Sequence, residues 1–203
     1  MMKKLILVLQ LCILVLGCMG CQKEVVTVAD IASESETEQY VEIKELELKQ
    51  ADETAQAGQE VRHCVVVIPG EYVESQDVEG MYIHKRNPLD SSNIYYTATD
   101  NQLEGFVSGE LTAEEYEKEV ESAYEEAGTP IDLTVKSFDE QDMDGIPAYV
   151  IRTTYEQEAN EVEQLIYLIL ADKTYTITFS QAADDELMAN FEISEDRIML
   201  IRK

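Results

Sequence analysis

Glu161 to Gln181 reads EVEQLIYLILADKTYTITFSQ, two apolar runs on either side of a short Ala171-Asp172-Lys173 turn. Val162, Ile166, Leu168 and Leu170 fall on one side of the first run, and Leu165, Tyr167 and Ile169 fall on the other. Neither side suits water, so this run predicts a central strand covered on both faces. In the second run Tyr175, Ile177 and Phe179 alternate with Thr174, Thr176 and Thr178, which predicts a strand with one buried and one wetter face. The stretch supplies a core and no chemistry.

Working outward, the core gains strands on both sides. Arg62 to Pro69, RHCVVVIP, is a β-branched run closed by Pro69-Gly70. Tyr72-Val73, Met81 to Lys85 and Ile94 to Thr99 read as further short strands, with Asn87-Pro88 and Asp90 to Asn93 as the turn before the last. Gly105 and Gly109 mark a loop. Ile131 to Phe138 and Ala148 to Tyr155 alternate as strands about Asp142-Met143-Asp144-Gly145.

Thr112 to Ala127 carries the strongest helix signals. Thr112 and Glu115 have capping-box spacing, Glu114 and Glu115 suit the positive helix start, and Gly128 then Pro130 stop it. Tyr116, Val120, Ala123, Tyr124 and Ala127 form one apolar stripe, and glutamates fill most of the opposite side. Asp184 to about Ser194 predicts a second helix with Leu187, Met188 and Phe191 on one face. Ile198 to Ile201 closes the chain as a strand or a helix tail.

Ahead of this body stands MMKKLILVLQLCILVLG, two lysines and then a mostly apolar run to Gly17. That is the pattern of an export signal, too short for a comfortable bilayer span. Leu14-Val15-Leu16-Gly17-Cys18 resembles the lipobox of bacterial lipoproteins, whose cysteine takes a diacylglycerol. Cys18 is the expected lipidation residue, with Cys21 as the alternative; Cys21 would put Cys18 where an aliphatic residue is usual. The resemblance implies a membrane partner reached through lipid, on the outer side of a bacterial cell membrane.

The expected organisation is therefore a lipoprotein signal peptide at 1–17, an acidic tether at 18–60 and a folded domain at 61–203. The tether is dense in charge, with Glu34, Glu36, Glu38, Glu42, Glu45 and Glu47, and reads as a self-repelling spacer. Within it Val41, Ile43, Leu46 and Leu48 suit a short helix or an edge strand laid onto the domain. The formal charge of the chain is -27, from 42 acidic and 15 basic residues. Such a surface repels phosphates, so nucleic acid is not an expected partner. Of the four cysteines, at 12, 18, 21 and 64, only Cys64 lies in the body, which excludes a disulfide scaffold.

The element order, with Val67-Ile68-Pro69, Gly145-Ile146-Pro147-Ala148-Tyr149 and Tyr175-Thr176-Ile177-Thr178-Phe179-Ser180, resembles the PsbP-type fold over residues 61 to 203. Extrinsic proteins of photosystem II, a Ran-binding nuclear-import factor and DcrB-type bacterial lipoproteins share it. The resemblance implies an α+β fold, an antiparallel β-sheet flanked by helices as an α/β/α sandwich, and a non-enzymatic module. It carries over no functional residue. The long acidic spacer and the absence of tryptophan depart from it.

The candidate ligand site is Met81 to Tyr96, MYIHKRNPLDSSNIYY, where His84, Lys85 and Arg86 form a basic island with Tyr82 and Tyr95 beside them. In so acidic a chain this is a place to hold an anionic or aromatic-compatible ligand. The plainer reading pairs the cations with nearby acids and sets the tyrosines in the sheet. Glu140, Asp142 and Asp144 before Gly145 suggest a calcium loop, but Ile151 stands where the bidentate carboxylate belongs, so a turn explains them. His63 and Cys64 point to opposite faces of a strand, and two histidines cannot complete a zinc set. Ser91-Ser92 lacks a nucleophile elbow. No metal and no cofactor is expected. The expected function is a non-catalytic binding or assembly module for an unknown protein or small-molecule ligand. A hydrolase using paired acids, or an envelope-maintenance factor that binds another protein, is the alternative.

Overall fold

A computed structural model of the chain describes residues 42–48, 62–100, 111–143, 145–157, 159–171, 173–182, 191, 194 and 197–202. These residues form ten strands and one helix: β1 (Ile43–Glu47), β2 (Arg62–Pro69), β3 (Tyr72–Glu74), β4 (Met81–His84), β5 (Asn93–Asp100), α1 (Ala113–Glu126), β6 (Thr134–Met143), β7 (Ile146–Gln157), β8 (Asn160–Leu170), β9 (Lys173–Ala182) and β10 (Ile198–Arg202). Two sheets result, one of order β1-β2-β10 and one of order β3-β4-β5-β9-β8-β7-β6, with every pairing antiparallel.

The β8–β9 hairpin sits inside the larger sheet, and the run from Leu165 to Leu170 is buried on both faces. On one face Leu165, Tyr167 and Ile169 join Tyr175, Ile177 and Phe179 of β9, and they pack against Cys64, Val66 and Ile68 of β2. On the other face Ile166, Leu168 and Leu170 join Tyr149 and Ile151 of β7 beneath Tyr116, Val120, Ala123 and Tyr124 of α1. A fully buried aliphatic or aromatic side chain contributes about 1.5–3 kcal/mol, so these two contacts hold the layers together.

The expected helix-flanked α+β sandwich is corrected by this arrangement. The molecule is mostly β, and the layer covering the inner face of the large sheet is the three-stranded sheet. The alternating apolar run of β2, flanked by β1 and β10, supplies that cover. The second helix expected from Asp184 lies outside the described residues except for Phe191 and Ser194, both of which are buried.

Other elements depart from expectation in smaller ways. Ile43 to Glu47 takes the strand alternative and pairs with β2 from Ile43↔Pro69 to Glu47↔Val65. Ile198 to Arg202 is a strand on the opposite edge of β2. β6 starts at Thr134 and reaches Met143, with a register shift between Val135 and Ser137. The threonine side of β9 is buried, because β9 lies between β5 and β8 and Thr178 stands opposite Ile166 on the face that α1 covers further along.

The helix signals are realised as bonds. Thr112 Oγ1 accepts from Glu115 N at 3.2 Å, and Glu115 Oε2 accepts from Thr112 N at 3.3 Å. Gly128, at φ 81°, closes the other end while Gly128 N and Thr129 N donate to Glu125 O and Tyr124 O. On the flank Glu121 and Glu117 accept from Leu133 N and Val135 N, so acidic side chains of α1 satisfy the start of β6.

Candidate functional site

The basic island falls where β4 ends and a loop, residues 85–92, leads into β5. β3 pairs with β4, which places Tyr72 opposite His84. Alternation along β4 turns Tyr82 toward the inner core, whereas Tyr95 packs with Met81, Val78 and Ile83 on the opposite side. The five candidate residues therefore do not share one pocket. Tyr82 and His84 project from one face, Tyr95 lies behind it, and Lys85 and Arg86 ride on the loop.

His84 is 2% exposed and its ring is held at both nitrogens. Nε2 lies 3.1 Å from Glu71 Oε2 and Nδ1 lies 3.1 Å from Asp90 Oδ2. The backbone N of Arg86 donates to Nδ1 at 3.3 Å. The ring stacks edge-on with Tyr72, centroids 5.4 Å apart.

Asp90 is the hub. Its Oδ1 accepts from Ser92 N at 3.0 Å and Ser92 Oγ at 2.6 Å, and its Oδ2 accepts from Arg86 Nη2 at 3.3 Å. Ser92 Oγ in turn accepts from Tyr72 OH at 2.7 Å. Burial raises the Tyr72 phenol well above its ordinary value, with the Ser92 hydrogen bond acting the other way.

Lys44 of β1 crosses between the sheets. Its Nζ donates to Tyr72 O and stands 5.5 Å from the centroid of the Tyr82 ring. Burial, and then the positive charge of Lys85, lower the Lys44 ammonium below the usual lysine range. Burial also pushes the Tyr82 phenol up to about 12.

This cluster is not an acyl-transfer triad. There the imidazole stands between serine and carboxylate, whereas here the carboxylate of Asp90 stands between Ser92 and His84, and Ser92 is buried. The groups satisfy one another and brace a loop. Their alignment also escaped sequence reasoning. Lys44, the neighbours Glu71 and Tyr72, and Ser92 come from three separate segments, and the β3–β4 and β4–β5 pairings bring the last three beside His84.

The remaining candidates resolve simply. Gly145 N donates to Asp142 Oδ1 at 2.7 Å, with Gly145 at φ 82°, which is a turn; Asp144 lies outside the described residues. His63 Nδ1 lies 2.9 Å from Glu47 Oε1, and Cys64 points inward as a free, buried thiol. Among the described residues no three His, Cys, Asp or Glu side chains are grouped to hold a metal ion. Cys18 and Cys21 lie outside the described residues.

The fold and this braced loop define a mostly-β, two-sheet protein with a buried charged cluster. No family model matches the chain, and no curated protein matches it. Solved structures to which the chain is similar include cyanobacterial PsbP (CyanoP) from Synechocystis sp. PCC 6803, at 10% identity and TM-score 0.48, covering 83% of this chain and 98% of that one. They also include LpqN of Mycobacterium tuberculosis, described as involved in cell envelope biogenesis, at 12% identity and TM-score 0.44, covering 78% of this chain and 91% of that one. Both likenesses are of overall shape.

Proposed function

We propose that the protein is a lipid-anchored module on the outer side of a bacterial cell membrane, which holds a protein or small-molecule partner without transforming it. The observation that carries the binding half is the closure of the polar cluster: Asp90, its buried carboxylate, is engaged by Ser92, His84 and Arg86, leaving it no role as a reacting acid. A hydrolase of paired acids needs two carboxylates facing each other across a substrate. Support for the location comes from Leu14-Val15-Leu16-Gly17-Cys18 and the basic, apolar leader before it. Two acyl chains suffice for a stable anchor, since each buried methylene contributes about 0.8 kcal/mol. No helix among the described residues is long and apolar enough to cross a membrane.

Globomycin, which blocks cleavage of lipoprotein signals, is expected to leave an unprocessed precursor, and Cys18→Ala is expected to free the protein from the membrane fraction. Lipid labelling that survives Cys18→Ala but not Cys21→Ala moves the anchor to Cys21. Wild-type protein found free in the cytosol refutes the location altogether.

A further inference from the structure

Leu89 is 80% exposed, against 39% to 43% for Ile43, Val73, Met199 and Ile201, the other large apolar residues exposed among those described. Single exposed aliphatics are ordinary on a surface. This one is not on a slack loop. Lys85 N donates to Glu71 O at 2.9 Å, Asn87 N to His84 O at 2.9 Å and Leu89 N to Arg86 O at 2.8 Å, while Asn87 Nδ2 donates to Asp90 O at 3.4 Å. Beneath these bonds lies the His84–Asp90–Ser92–Tyr72 cluster. The loop's shape is therefore set from inside, and its outermost side chains are left facing solvent.

Those side chains have a definite chemistry. Lys85 is exposed and Arg86 is 67% exposed, with one guanidinium nitrogen on Asp90 and further N–H donors pointing elsewhere. Against a chain of -27, the loop sets two exposed cations beside an aliphatic tip, with Arg86 already against the buried Asp90 and Glu71, 64% exposed, against His84.

We propose that residues 85–89 are a preformed docking loop for another protein, one that offers an apolar pocket for Leu89 edged by carboxylates for Lys85 and Arg86. Arginine is among the side chains enriched in interface hot spots, and a loop already held in shape loses little entropy on docking. An anionic bilayer is the poorer match, because it sets a continuous negative plane against the whole acidic surface, whereas a protein presents carboxylates only where the loop needs them. The proposal rests on the binding-module reading but not on the lipid anchor.

The test places a photo-crosslinking amino acid at position 89 of the full chain in cells, with positions 114 and 156, both exposed glutamates, as controls. One identified protein adduct at position 89 and none at the controls is the expected result. That protein, purified, is then titrated with unlipidated Cys18→Ala chain, so that loss of anchoring and loss of docking read out separately. Leu89→Asp and Lys85→Glu should each weaken binding about tenfold or more, and the wild-type affinity should fall as salt rises. Both variants should keep the wild-type melting temperature, because the altered groups are exposed. Lipid adducts at position 89, adducts equally strong at the controls, or an affinity unchanged by Leu89→Asp overturn the proposal.

Discussion

Asp90 holds two backbone or hydroxyl donors on one oxygen and has the Arg86 guanidinium and the His84 ring against the other, and it is almost wholly buried. Removing it leaves Ser92 N and Ser92 Oγ without their acceptor, and each buried donor left unsatisfied costs about 1–3 kcal/mol. Asp90→Ala should therefore lose about 3 kcal/mol in urea unfolding, and Asp90→Asn less; a loss below about 1 kcal/mol would show that the cluster does not brace the loop. Cys64 gives a prediction in pH. Burial pushes its thiol from 9.0 up to about 12, so at intermediate pH the unfolded chain releases this proton while the folded chain keeps it. Stability from this group is full below pH 9 and falls as pH rises toward 12, by up to about 1.4 kcal/mol per pH unit. Cys64→Ala should flatten that fall when urea midpoints at about pH 8 and about pH 10 are compared. At this scale the sequence pointed to the right neighbourhood, Met81 to Tyr96, and to little of its wiring. Tyr72 and Ser92 bond across 20 residues, a distance that no local pattern encodes.

Elements whose signals are local were legible. The capping box and Gly128 delimit α1 because each acts within one turn of the helix. The alternation of β8 likewise announced a strand with two covered faces. β9 misled because threonine suits a strand whether its side faces water or a neighbouring layer; its burial depends on β5 and β8, not on its own residues. The β3–β4 connection offers an element-scale prediction. Gly80 sits at φ 77°, and a Cβ there would meet Tyr96 O at 2.6 Å while Gly80 O accepts from Tyr96 N. Gly80→Ala should destabilise by more than about 1 kcal/mol in thermal or urea unfolding, since both the conformation and the space oppose a side chain. Ala substituted without loss would mean that β4 and β5 do not approach so closely.

For the molecule as a whole, the sequence supplied a β core but not its second layer. The small sheet joins β1, β2 and β10 from three separate parts of the chain, and β1 hides in a segment whose acidity reads as spacer. Only its alternation, Leu46 and Leu48 two residues apart among charged neighbours, hinted at pairing. The placement of β1 has a mechanical consequence. Any pull on the chain ahead of Glu42 enters the body through a five-residue strand gripped, among the described residues, along one edge only. Under load that strand should peel first, drawing Lys44 off Tyr72 and Leu48 out of the interior while the seven-stranded sheet keeps its shape, so that tension is felt beside the 85–92 loop before it is felt anywhere else.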